Sequence, residues 1–106
     1  MPGKSFPDKI KFRMKRKSQK EINLAVEILK SYGAKKVFVF GSYAKGKERK
    51  GSDIDLAVTG LPPEKFFKAL AELIFTLKKE VHLVDLEYPS PFATYLKTKG
   101  EMIGVG

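Results

Sequence analysis

The 106-residue chain has no cysteine, no tryptophan and a single histidine, His82. Without cysteine, neither a disulfide framework nor a thiolate zinc site can form. One histidine excludes a multi-histidine metal centre, so any metal must be held mainly by oxygen. No apolar run approaches the roughly 20 residues of a membrane span, and the N-terminus lacks the apolar stretch of a secretory signal. These absences predict a cytoplasmic protein with no membrane association. The length suits one domain with a modest core and leaves no room for a second.

The net charge of +9 is concentrated at one end. Eight basic residues (Lys4, Lys9, Lys11, Arg13, Lys15, Arg16, Lys17 and Lys20) fall in the first 20 positions, where Asp8 is the one acid. That segment carries +7 and the other 86 residues only +2. An arm of this kind attracts polyanions by counterion release, and RNA, DNA or an acidic protein surface would each satisfy it. A solvated tail is the plainer reading.

Ser18-Gln19-Lys20-Glu21 has the form of a capping box, which predicts a helix from Ser18. Ile22, Ala25, Val26, Leu29 and Tyr32 recur at helical spacing, and Gly33 suits the helix end. Val37-Phe38-Val39-Phe40, stopped by Gly41, reads as a strand, and Ile54 to Thr59, stopped by Gly60, as a second. Leu61-Pro62-Pro63 opens another helix whose apolar face comprises Phe66, Phe67, Leu70, Leu73, Ile74 and Leu77, ending near Lys79. Val81 to Leu86 is a third strand. Ser90 and Pro91 are the cap and first position of a short helix running to Lys99, and Met102 to Val105 is a candidate edge strand. The expected class is α/β (α+β), a small mixed sheet with helices packed on one face.

The chemistry is concentrated between Phe40 and Leu56. A strand running into Gly41-Ser42 lets the backbone approach a ligand closely, and Ser42 can cap the next turn and donate to a phosphate oxygen. Asp53 and Asp55, two apart on a strand, project from the same face and repel each other unless a cation lies between them. Magnesium suits such a pair, because it takes one or two carboxylates together with phosphate oxygens. Lys45, Lys47, Arg49 and Lys50 add positive charge to the connecting loop. A phosphate cradle joined to a divalent-cation site is what a metal-bound nucleoside triphosphate requires.

Gly41-Ser42, ten residues, then Asp53-Ile54-Asp55 resembles the signature of the minimal nucleotidyltransferases, within the DNA polymerase beta-like nucleotidyltransferase superfamily. The resemblance runs from the helix near Ser18 to the final short strand. It implies residues 18–106 as the nucleotidyltransferase domain, preceded by the basic arm at 1–17, and a polymerase beta-like fold. It implies Asp53 and Asp55 as catalytic metal ligands, with Gly41, Ser42 and Lys45 at the nucleotide. Two Mg2+ ions would bridge the triphosphate, with ATP as the default substrate, during in-line transfer of a nucleoside monophosphate. Members of this family are often paired with a helical HEPN-type toxin, and several transfer AMP to a tyrosine on it. An antitoxin role follows by resemblance alone.

The third carboxylate departs from the family pattern. Relatives commonly carry Val-Asp-Leu-Val-Asp-Leu on the strand after the long helix, whereas this chain has Val81-His82-Leu83-Val84-Asp85-Leu86. His82 occupies the usual ligand position, and strand alternation sets it on the face opposite Asp85. Asp85 would need a bulge or altered register to replace that ligand. His82 is alternatively a base or weak ligand, although nitrogen ligation of magnesium is unfavourable. A catalytically weakened antitoxin that binds nucleotide and neutralises its partner by binding alone is the other reading.

Plainer readings stand beside these. Gly41 and Gly46 also serve as ordinary turn glycines, the basic loop as a solvated loop, and Tyr43 as a side chain packed on its own scaffold. The helix from Phe66 reads as core. Gly41-Ser42-Tyr43-Ala44-Lys45-Gly46-Lys47 also matches seven positions of a P-loop, but Glu48 stands where Ser or Thr must reach magnesium.

Overall fold

The computed structural model describes residues 14–106. Helix α1 (Arg16–Ser31) leads into β1 (Lys36–Phe40), a single-turn helix α2 (Gly41–Lys45), β2 (Ile54–Thr59), α3 (Pro63–Leu77), β3 (Val81–Asp85), α4 (Pro91–Thr98) and β4 (Ile103–Gly104). The sheet order is β3-β2-β1-β4. β1 pairs antiparallel with β2 and β4, while β2 and β3, joined through α3, run parallel. This is the expected mixed α/β architecture. Among the described residues no helix is long and apolar enough to cross a membrane.

Strand alternation divides the core between two faces. Val37, Val39, Ile54, Leu56 and Val58 meet α1 and α3, whose Ile22, Leu29 and Leu73 are fully buried there. Phe40 and Ala57 point the other way, against Ala93 and Leu96 of α4. The two long helices therefore share one face, and the short α4 covers part of the opposite one. Serine 90 caps α4 as expected, its Oγ accepting the Ala93 N–H at 3.0 Å.

The start of α1 differs from the capping-box expectation. The helix begins at Arg16, Lys15 is its cap, and no side chain of the segment caps it. Ser18 is buried. Glu21 instead accepts a hydrogen bond from the Tyr43 hydroxyl at 2.9 Å and pairs with Lys79 at 2.9 Å. The helix entrance is served from 33 positions away, where buried Glu48 accepts the Lys15 N–H at 3.0 Å. An acid near a helix N-terminus complements the helix dipole, which explains Glu48 without a phosphate. Of the proposed arm at 1–17, residues 1–13 lie outside the described residues, and Met14 is packed into the core.

Helix α3 also differs. Ala69, Leu73 and Leu77 are buried, with Phe66 and Leu70 packed beside them, but Phe67 and Phe75 are 76% and 82% exposed. A helix resting on one sheet face buries a stripe somewhat over 100° wide, and six apolar positions span more than that.

Candidate functional site

The site grows from one row of the sheet. Phe40 on β1 lies opposite Asp55 on β2, and Asp55 lies opposite His82 on β3. Partners in register share a face, so Asp55 and His82 project on the Phe40 side, where α4 leaves the strand ends open. His82 Nδ1 is 2.8 Å from Asp55 Oδ1. Its Nε2 is 3.4 Å from Glu80 Oε2 and 3.8 Å from Asp53 Oδ2.

Gly41 closes the other side of Asp55. It has φ of +71°, and a Cβ built there would stand 2.1 Å from Asp55 Oδ2. Glycine is therefore required both by the left-handed backbone and by the carboxylate it faces. The chain then turns into α2, where the first N–H groups of a helix have no partner within it. Ser42 and Lys45 follow on that turn. Lys45 is exposed, and together with Gly41 it lines a cleft of about 360 Å3 whose far wall is Phe92, Tyr95 and Lys99. Phe92 and Tyr95 stack at 6.3 Å with an interplanar angle of 16°. Tyr43 is buried in the scaffold and 5.6 Å beneath the Lys79 ammonium.

Asp85 is not brought to this site. It pairs with Val58, three strand positions beyond Asp55, and Val58 belongs to the α1–α3 face. No bulge alters the register, so Asp85 faces away from Asp53 and Asp55. Its carboxylate accepts the Glu87 N–H at 2.9 Å and lines a separate apolar cavity of about 530 Å3 beside Phe66 and Tyr88. That cavity shares Phe92 with the cleft beside Gly41, but none of the clustered acids lines it.

Glu80 is the acid the sequence reading missed. The parallel register pairs Ile54 with Val81, and the Glu80 carbonyl accepts the Ile54 N–H at 3.0 Å. Asp53 and Glu80 thus each precede their strand by one residue, side by side. Asp53, Glu80 and His82 each offer a ligand atom, all within 4.8 Å of one another. The signal for Glu80 lay in the β2–β3 pairing, which local patterning does not contain.

The acids act on the imidazole. Its pKa is raised above the ordinary 6.5, chiefly by the hydrogen bond to Asp55, against a lowering by desolvation. A raised folded pKa stabilises the fold fully below 6.5, and this contribution disappears as pH rises through the folded value. The ring is 51% exposed, so the contribution is small. NMR titration of the metal-free protein should place the His82 ring above 6.5, and Asp55→Asn should lower it. An unchanged midpoint in that variant would disprove the assigned cause.

The nucleotidyltransferase domain family model matches residues 21–102. A chain of a toxin–antitoxin complex crystallised with AMP-PNP is 28% identical, with a TM-score of 0.62 over 76% of this chain and 69% of that one. A chain of a complex between a tri-AMPylated Shewanella oneidensis HEPN toxin and its MNT antitoxin is 25% identical, with a TM-score of 0.60 over 80% and 70%. A putative minimal nucleotidyltransferase shares the fold at 24% identity and a TM-score of 0.59, over 74% and 85%. No curated protein matches the chain by sequence.

Proposed function

The chain belongs to the nucleotidyltransferase domain family, and from that premise we propose that it transfers AMP from ATP to a tyrosine hydroxyl of a HEPN-type partner, acting as its antitoxin. The observation that carries this reading is the contact between Gly41 and Asp55. One turn approaches one carboxylate so closely that no side chain fits, which supports a phosphate-binding backbone lying beside cation-binding acids. The cluster is chemically suited to a divalent cation: Asp53, Asp55 and Glu80 are gathered at one edge with His82 drawn among them. Asp53 and Asp55 would hold the ion, with Glu80 in place of the expected Asp85. When bound, the metal supplies charge neutralisation of the triphosphate and polarisation of the attacking hydroxyl.

The residues of the chain divide the remaining work. The Gly41-Ser42 backbone and the Ser42 hydroxyl receive the outer phosphates, and Lys45 offsets charge on the departing pyrophosphate. The acceptor oxygen forms a bond to the α-phosphorus as the bond to the β-phosphate oxygen breaks, and the hydroxyl proton passes to the carboxylate cluster. The cleft beside Gly41 takes the nucleoside, its base lying on Tyr95. Base stacking is worth about 1–3 kcal/mol, so Tyr95→Ala should raise the KM for ATP about tenfold with little change in kcat, and Tyr95→Phe should restore it. An unchanged KM would place the base elsewhere.

Exposed Phe67 and Phe75 support the protein-partner half of the reading, since uncovered aromatic surface favours association. The complex containing an AMPylated HEPN toxin is the comparison that suggests the acceptor. Incubation with α-labelled ATP, Mg2+ and a HEPN partner should label the partner on tyrosine and release pyrophosphate. The absence of label on any acceptor, with neutralisation intact, would establish the binding-only alternative. Binding of RNA by the basic segment would appear as steep salt dependence that survives loss of Asp53 and Asp55 but not of residues 4–17.

A further inference from the structure

The histidine among the acids bears on which metal the site selects. A carboxylate only accepts hydrogen bonds, so the 2.8 Å contact makes His82 Nδ1 the protonated nitrogen of the neutral ring. Nε2 faces Glu80 Oε2 at 3.4 Å and Asp53 Oδ2 at 3.8 Å, and a metal that displaces its proton would meet the Nε2 lone pair between these two carboxylates. A metal-ligating imidazole characteristically donates its other N–H to a carboxylate, which fixes the tautomer and the ring orientation. Asp55 stands in that relation to His82.

The donor set differs from one built for magnesium. Mg2+ demands oxygen at about 2.0–2.1 Å in near-octahedral geometry, and neutral imidazole suits later first-row ions much better. With His82 in place of an acid, the cluster also has one fewer negative charge for a hard cation. Donors bound at about 2.1 Å lie about 3 Å apart when adjacent, and the three ligand atoms, all within 4.8 Å of one another, would close on an ion by side-chain rotations. The three side chains are well exposed and free to make them: 45% for Asp53, 51% for His82 and 68% for Glu80.

We infer that Asp53, Glu80 and the Nε2 of His82 bind a nitrogen-accepting first-row ion such as Mn2+ in preference to Mg2+, with Asp55 orienting the imidazole. This rests on the nucleotidyltransferase reading for the presence of a divalent ion and adds its identity. Asp55 is a positioning residue for this ion, in addition to any contact with a second, nucleotide-borne one.

The test uses the metal-stripped full chain without nucleotide. Free Mn2+ is followed by electron paramagnetic resonance during titration, and Mg2+ is then added as competitor. The wild type should bind Mn2+ and hold it against a large Mg2+ excess, and substoichiometric Mn2+ should broaden the His82 ring resonances selectively. His82→Asp should still bind Mn2+, but its preference over Mg2+ should fall by at least about tenfold. Glu80→Gln should weaken Mn2+ binding while circular dichroism remains unchanged. Equal displacement by Mg2+ in wild type and His82→Asp, or unbroadened ring resonances, would overturn the inference. AMP transfer with Mg2+ alongside either failure would leave the functional reading intact. Mn2+ selectivity in a protein that transfers nothing would do the reverse.

Discussion

Asp53→Asn should abolish nucleotide transfer, lowering kcat/KM on the order of 10³-fold or more, about 4 kcal/mol of transition-state stabilisation. Asp53 immediately precedes β2, two residues from Asp55, and offers a ligand atom within 4.8 Å of those of Glu80 and His82. Asparagine keeps the shape and removes the charge. The side chain is 45% exposed and its removal leaves no buried group unpaired, so the melting temperature should remain close to that of wild type. Activity loss without stability loss is the signature of a group acting on the reaction. The same variant separates the two antitoxin readings. If catalysis neutralises the partner, Asp53→Asn loses both label transfer and protection from the toxin. Protection that persists in the variant, from a wild type that transfers no label, would establish neutralisation by binding. Transfer within a few fold of wild type would remove Asp53 from the chemistry.

Much of the scaffold was legible because its signals are local. Ile54 to Thr59 emerged with its exact bounds, since a short apolar run between polar residues and a glycine has few other solutions. Gly41, Asp53 and Asp55 stand out for a similar reason, a spacing that a phosphate and cation site would explain, and the fold brings Gly41 against Asp55. What stayed hidden depends on pairing between distant segments. Glu80 becomes a neighbour of Asp53 only through the parallel register of β2 and β3, and the same register carries Asp85 to the opposite face. Ser18 and Glu21 satisfied the capping-box pattern, yet Glu48 supplied the entrance to α1 and Glu21 was taken by Tyr43 and Lys79. Phe67 and Ile74 belong to the expected apolar face yet are 76% and 42% exposed, because composition reports that a side chain is apolar and not whether the sheet is wide enough to cover it.

Gly41→Ala should lower kcat/KM by about 100-fold or more, the scale of loss when reacting groups are displaced by about 1 Å. The added methyl would stand 2.1 Å from Asp55 Oδ2, well inside contact distance, so either the turn or the carboxylate must move. Asp55 is held on its other oxygen by His82 at 2.8 Å, and a shift there disturbs the imidazole as well. Alanine at φ +71° also carries left-handed backbone strain of about 1–2 kcal/mol, which predicts a fall in melting temperature on the order of 5–10 °C. Strain alone would not explain the kinetic loss, and Gly51→Ala separates the two effects. Gly51 has φ of +87° with nothing within 4 Å of a built Cβ, so its substitution brings the strain without the collision. Gly51→Ala should therefore lower the melting temperature by a similar amount and leave kcat/KM within about threefold. Equal kinetic losses in both variants would attribute the effect to backbone strain and sever the link between the turn and the carboxylate. A kinetic loss confined to Gly41→Ala would tie nucleotide transfer to the close approach of that backbone to Asp55.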